Sequence, residues 1–381
     1  MSIVNPTVRP GLEDVPVAES AVSFIDGKRA RLEYRGIAVE TLAKESTFEE
    51  TAWLLMKGDL PSQKQLADFD AELRHHRRLK FRLVDMIKGM PENGHPMAAV
   101  QSAVAALSLF YPARDVKSEA SNWSAAVRIL AKLPTIVAAF HRSRNGDEPL
   151  QPRDDLDFAA NLYWLLFEKI PSPATRRIID ACLILHAEHS MNASTFTCRV
   201  AGSSLPDPYM AIASAIGSLA GPLHGGANEE VPAMLDEIGA PQNAGAWLED
   251  AIQTKKKIMG FGHRVYKVKD PRATVIQELA EHLFVETGRP VMYDTALELE
   301  RVAVALLGTK GIYPNVDYYS GLIYTTLGIP TDLFTPVFAI ARSAGWLAHW
   351  LEQMKNNRIY RPEQVYIGKR DQPYVPLEKR A

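Results

Sequence analysis

Asp207-Pro-Tyr-Met-Ala-Ile-Ala-Ser-Ala-Ile-Gly-Ser-Leu-Ala-Gly221-Pro222 reads as one helix with both of its ends written in. Asp207 is an N-cap residue followed by proline at the first helical position, where no backbone N–H is needed. Tyr209 to Ala220 is almost entirely small or apolar, and Gly221-Pro222 stops it. The same punctuation recurs along the chain. Thr47 begins a helix with Phe48, Ala52, Leu55 and Met56 on one side, closing at Gly58. Thr335-Pro336 repeats the Asp-Pro start, and Val337, Ile340, Ala341, Ala344, Leu347 and Leu351 form the stripe to be buried. Few segments alternate with period two, which argues against a doubly wound sheet. Ala21 to Tyr34 is the one credible hairpin, with Asp26-Gly27 as its two-residue turn. The expected fold class is therefore all-α with a small N-terminal β-hairpin.

The bulk numbers fit an enzyme and say little more. At 381 residues the chain can bury one large or two ordinary domains. A net charge of −2 argues against a dedicated nucleic-acid or membrane-surface binder. Cys182 and Cys198 cannot make a disulfide framework, so a reducing cytoplasm is the expected compartment. The stretch Met1 to Arg9 lacks a basic segment followed by an apolar run, so no export signal is read there. The longest uncharged run, Gly94 to Ala113, contains Pro96, Gln101, Ser102 and Ser108 and reads as a buried helix, not a membrane span. Composition shifts near Gly225-Gly226 and Gly328-Ile-Pro330 are the linker candidates, and they bracket a segment of about a hundred residues.

Five separated stretches carry the chemistry. His186 and His189, three apart after the apolar run Ile178 to Leu185, are expected to share a helix face. They read as core histidines, as metal ligands short of a third and fourth partner, or as donors lining a cleft whose wall continues through Asn192, Ser194 and Thr195. His224 lies between the stop at Pro222 and Gly225-Gly226, where the backbone can approach a ligand closely. A neutral imidazole held there can donate to an oxygen that becomes negative, or it merely caps the next helix. No Gly-x-Ser-x-Gly elbow accompanies it, so a serine hydrolase lacks its nucleophile.

Gly260-Phe261-Gly262-His263-Arg-Val begins like a dinucleotide fingerprint but lacks the third glycine and any βαβ context. What remains is a glycine loop beside Lys255, Lys256, Lys257, Lys267 and Lys269, five ammonium groups that form a solvated face or a phosphate cradle. Asp317, in Tyr313-Pro-Asn-Val-Asp-Tyr-Tyr, is followed by aromatic residues whose cover would raise its pKa and make it a better base; equally, it could cap the helix Tyr318 to Leu327. Arg342 interrupts an apolar helix, and a buried guanidinium demands an anion. Arg361, before Pro362 in the C-terminal tail, alone reads as a solvated residue.

Taken together, these stretches closely resemble the citrate synthase family from about Gly11 onward, with the string Gly-Phe-Gly-His-x-Val-x-Lys-x-x-Asp-Pro-Arg as the most specific part. The resemblance implies a large helical domain, residues 1–225 with 329–381, and a small one, 226–328, closing over the site. It implies condensation of acetyl-CoA with oxaloacetate and water to citrate and CoA, the entry step of the tricarboxylic acid cycle. Asp317 would be the base, His224 the donor that stabilises the enol, and His263 the group that bonds the ketone of oxaloacetate. His189, His224, His263, Arg272 and Arg342 would bind oxaloacetate, with Arg361 contributed across a homodimer. Lys257, Gly260, Phe261, Gly262, Lys267, Lys310 and Asn315 would hold CoA. No metal or other cofactor is implied, and no nucleic-acid or membrane partner. The related 2-methylcitrate synthases use propionyl-CoA; His263-Arg264 and Asn315-Val316-Asp317-Tyr318 look more like the citrate enzymes. A metal-dependent hydrolase built on His186, His189 and Asp317, and a non-catalytic helical scaffold, are the readings from other classes.

Overall fold

The computed structural model describes residues 8–113, 115–263 and 265–380, with the backbone alone at Ala227. Residues 1–7 of the stretch read for an export signal, and Arg264 of the pair read for acyl choice, lie outside the described residues. Among the described residues the chain is helical, with sixteen α-helices and one three-stranded antiparallel sheet. The all-α expectation with an N-terminal hairpin holds.

Local chemistry accounts for many of the helix ends. Asp207 accepts from Met210 N at 3.2 Å and starts the helix Pro208–Leu219. Thr47 accepts from Glu50 N at 3.2 Å, and Gly58, with φ 106°, ends that helix in the left-handed conformation. The uncharged run forms Pro96–Phe110, which buries Met97, Val100, Ala103, Val104 and Leu107 while Leu109 faces outward. Helix Glu119–Arg144 is long and apolar enough to cross a bilayer, but 83% of its apolar window is buried inside the protein, where it is a core helix.

Two local expectations are corrected. The hairpin pairs β1 (Ser23–Asp26) with β2 (Arg31–Tyr34) in the register Asp26↔Arg31, so its loop is residues 27–30 rather than a two-residue turn. Asp26 Oδ1 accepts from Lys28 N and Arg29 N, which turns the backbone earlier and wider than an Asp-Gly pair would. A third strand, β3 (Ile37–Ala38), pairs with β2. The second correction concerns Thr335. Helix Phe334–Met354 begins one residue before it, after a 3₁₀ turn Thr331–Leu333, and Thr335 Oγ1 bonds to Gly225 O and Glu229 instead of capping.

That last helix is the axis of the core. Phe334 to Trp350 is buried without interruption, and the helix packs on Phe48–Lys57, Glu119–Arg144, Pro173–His186 and Ala193–Gly202. Gly345 lets it approach the chain beside His186. A Cβ there would lie 2.3 Å from Glu188 Oε2 and 2.4 Å from Ala187 O. Gly345→Ala should therefore destabilise the protein by roughly 1–3 kcal/mol through overpacking, read as a lower urea midpoint with an unchanged m-value.

Candidate active site

His186 ends the helix Pro173–His186, and His189 lies beyond it, so the two do not share a helix face as expected. Ser190 takes φ 50°, and Asn192 caps a new helix, Ala193–Gly202, by accepting from Thr195 N at 3.0 Å. Ser, Asn and Ser-Thr in sequence compete with the helix for backbone hydrogen bonds, which is why it breaks. His186 Nδ1 lies 2.7 Å from Cys182 O, and the ring packs edge-on against Phe338. It is a core residue with its pKa pushed down to about 3, chiefly by burial. His189 instead turns toward the glycine loop. Its ring centroid is 5.0 Å from that of His263 and 5.6 Å from that of Tyr266.

Hydrogen-bond direction settles which ring nitrogens carry protons. His263 Nδ1 accepts from the backbone N–H of Val265 at 3.0 Å and of Tyr266 at 3.2 Å, so its proton resides on Nε2. His224 is the mirror case. The backbone N–H of Ser194 donates to His224 Nε2 at 3.3 Å, with Ser194 Oγ at 2.8 Å, so the proton is assigned to Nδ1. Ser194 is itself fixed by Trp346 Nε1 and Asn192 Oδ1. Burial, then the nearby guanidiniums, lower both pKa values to about 4: Arg342 beside His224 and Arg272 beside His263. His189 is lowered well below the ordinary value by burial and by Arg272. All three are neutral donors at neutral pH.

The loop carrying His263 is built against the start of the helix Val316–Thr326. Gly262 N donates to Tyr313 O at 2.8 Å, Asn315 N to Gly260 O at 2.9 Å, and Asn315 Nδ2 to Gly262 O at 3.0 Å. Gly260, at φ 74°, has no room for a side chain, since a Cβ would sit 2.8 Å from Tyr318 Cα. Asn315, not Asp317, is the N-cap: its Oδ1 accepts from Asp317 N at 3.0 Å. Asp317 occupies the first turn, and its Oδ1 is shielded from solvent without a hydrogen-bond partner. Burial raises its pKa to about 6 against the pull of Arg272 and Arg342. The adjacent tyrosine hydroxyls are anchored elsewhere, Tyr318 on Ala296 O and Tyr319 on Glu300.

Arg272 and Arg342 are 3% and 2% exposed, yet they are held differently. Arg272 makes two bonds to Asp270, Nε to Oδ1 at 3.0 Å and Nη2 to Oδ2 at 2.7 Å. Burial works against its charge, but Asp270 outweighs burial and raises the pKa. Arg342 donates from Nε to His186 O at 2.7 Å and stacks its guanidinium 4.6 Å from the Phe338 ring. Burial lowers its pKa to about 10, with Glu188 the largest opposing influence. The structure thus gathers His189, His224, His263, Arg272, Asp317 and Arg342 within electrostatic reach of one another. No three His, Cys, Asp or Glu side chains converge as a metal site among the described residues.

Other expected residues lie at the rim or away from it. Lys257, Lys267 and Lys310 are exposed, and Lys267 packs on Gly311 beside Lys310. Two of the five ammonium groups are already paired, Lys256 with Glu237 and Lys269 with Glu300. Arg361 is exposed and, among the described residues, bonds only to Pro362 O and is not brought to the other groups within the chain. Sequence reasoning gave no role to Asp270 or to Tyr266, whose ring meets those of both His189 and His263, and it named Ser194, which bonds to His224, only as cleft wall. Each stands inside a motif already singled out, which was the available signal.

The family model described as citrate synthase, C-terminal domain, matches residues 11–363. A citrate synthase of Synechocystis sp. is 55% identical over 99% of this chain and 95% of its own length. That of Acidithiobacillus ferridurans is 48% identical over 99% of this chain and all of its own. The solved citrate synthase of Pyrobaculum aerophilum superposes with TM-score 0.91 at 40% identity, covering 98% of this chain and 95% of that one. The Thermoplasma acidophilum enzyme, solved as a ternary complex with carboxymethyl coenzyme A and oxaloacetate, gives TM-score 0.92 at 32% identity, covering 99% of this chain and 100% of that one. The chain belongs to the citrate synthase family.

Proposed function

We propose that the gathered groups divide the condensation of acetyl-CoA with oxaloacetate as follows. Asp317 removes a proton from the acetyl methyl while His224 Nδ1–H donates to the thioester oxygen. The resulting enol carbon attacks the ketone of oxaloacetate, and His263 Nε2–H supplies the proton to the new alkoxide. Arg272, Arg342 and His189 hold the substrate carboxylates, and water then cleaves the citryl thioester to citrate and CoA. The observation that carries this reading is the pairing of an unpartnered, shielded carboxylate with neutral imidazoles whose assigned protons can donate. A carboxylate alone is far too weak a base for a thioester methyl, so the enol must be stabilised as it forms. One preorganised donor contributes about 3–4 kcal/mol and a general base about 10²–10⁴-fold.

The reading extends to larger scale. Residues 226–328 act as a small domain that closes over 1–225 and 329–381 and shields the enol from water. Support comes from the helices Glu230–Ile238, Val291–Leu307 and Val316–Thr326, which pack on one another. Lys257, Lys267 and Lys310, with the Gly260–Gly262 backbone and Asn315, take the CoA phosphates and nucleotide. The enzyme works in the cytoplasm as a homodimer in which Arg361 reaches the partner's site. Consistent with a dimer, the extended tail exposes Ile367 (95%), Tyr374 (83%) and Leu377 (73%), apolar surface that a monomer would leave in water.

Oxaloacetate-dependent release of the CoA thiol tests the activity, and Asp317→Ala tests the base. That variant should lose at least about 10²-fold in kcat while still binding oxaloacetate by calorimetry, because the base acts on the other substrate. Loss of oxaloacetate binding would contradict the assignment. Because the base must be ionised, kcat/KM of the native enzyme should be level above pH 6 and fall as the pH drops through about 6.

Arg361→Ala and Arg342→Ala should each be nearly inactive, each losing a charge-assisted contact worth about 2–5 kcal/mol. Mixed under subunit exchange, they should recover up to about a quarter of native activity, since half the dimers carry one intact site of two. No recovery despite demonstrated exchange would place Arg361 in its own chain's site or in none.

A further inference from the structure

Behind Arg342 lies a buried carboxylate with no role in this scheme. The Phe334–Met354 helix carries Arg342, Gly345, His349 and Glu352 at spacings of one helix face. That face meets the segment around Glu188. Gly345 N donates to Ala187 O at 3.1 Å, Arg342 Nε to His186 O at 2.7 Å, and His349 Nε2 lies 3.0 Å from Glu188 Oε1. Glu188 is 0% exposed; Ser23 Oγ donates to its Oε1 at 2.9 Å, and its Oε2 has no hydrogen-bond partner.

His349 reaches that carboxylate through one ring nitrogen. Arg199 Nη1, which can only donate, lies 3.3 Å from His349 Nδ1, so Nδ1 accepts and Nε2 holds the ring proton. His349 thus donates to Glu188 from Nε2. Arg199 is matched by Glu352 at 3.2 Å, and Arg272 by Asp270. Among the described residues, the carboxylate on this face with no guanidinium bonded to it is Glu188. The cation left over is Arg342, whose two Nη groups donate to no described residue.

We propose that Glu188 is the resident counter-anion of Arg342: it balances the guanidinium in the empty site without filling its fork, and thereby limits how tightly a dicarboxylate is held. This rests on the reading of Arg342 as a carboxylate-binding group. A carboxylate bonded directly to the fork would have to be displaced by substrate. An unbalanced guanidinium would be costly to bury and would grip product as firmly as substrate. Glu188, one layer behind and bonded to Ser23 and His349 rather than to a guanidinium, avoids both.

Glu188→Gln preserves the acceptor for Ser23 and His349 and removes only the charge. It should melt at lower temperature without ligand, and calorimetric titration should show oxaloacetate binding tighter by about 3–10-fold. Binding of CoA should be unaltered, and Glu188→Asp, which keeps the charge, should bind oxaloacetate as the native enzyme does. Unchanged or weaker oxaloacetate binding by Glu188→Gln would overturn the proposal. Native oxaloacetate affinity in Arg342→Met would instead sink the underlying reading of Arg342, whatever Glu188 does. Should Glu188→Gln not fold, the double variant Glu188→Gln/Arg342→Met decides. Removing both charges should restore a folded protein, and a double variant that fails to fold where Arg342→Met alone succeeds would also overturn the proposal.

Discussion

A guanidinium taken out of water must be answered by negative charge or by carbonyl oxygens, and four are buried among the described residues, two of them, Arg272 and Arg342, at the candidate site. An ion of this kind costs several kcal/mol to desolvate after relaxation, so its surroundings are arranged around it. Arg272 is answered in full by Asp270, two residues before it at the cap of the helix Pro271–Thr287. Arg342 is answered only in part, by His186 O and the face of Phe338. The helix break after His186 follows the same constraint. It frees a carbonyl for Arg342 and carries His189 out of the apolar layer toward the glycine loop.

The same two cations set the acid–base character of their neighbours. Positive charge beside a buried imidazole disfavours a second positive charge, so His189, His224 and His263 stay neutral and act as hydrogen-bond donors. Beside the carboxylate the same charge works the other way, and it offsets part of the burial that would otherwise keep Asp317 protonated. Backbone amides then aim each ring. Two N–H groups at His263 Nδ1 and one at His224 Nε2 leave opposite nitrogens of the two rings free to donate. Donors fixed in this way need little reorganisation as charge develops, which is what a reactive enol requires.

The site also depends on backbone that no charge explains. Gly260 at φ 74° sits against Tyr318 Cα, and the ladder from Gly260–Gly262 to Tyr313–Asn315 joins the His263 loop to the helix that carries Asp317. His263 and Asp317 are therefore positioned by one piece of irregular pairing, and a shift in either side of it moves both.

Sequence alone determined the helical class and several of the helix boundaries, and it named the six residues that the fold gathers at the candidate site. Caps such as Asp207-Pro208 and Thr47 act within a few residues, and charged or glycine-rich motifs stand out from an apolar background wherever they occur. It misjudged the hairpin loop, the start of the helix at Phe334 and the shared face of His186 and His189. In each case a side chain found a competing partner, locally at Asp26 and Asn192 and across the fold at Thr335. Only the tertiary structure decided which nitrogen of each histidine is protonated, that Asn315 rather than Asp317 caps its helix, and that Glu188 lies behind Arg342. Those outcomes depend on the direction of single hydrogen bonds, local at His263 and Asn315 and from a distant segment at His224, and on the burial that brings Glu188 to the helix of Arg342, none of which residue type alone encodes.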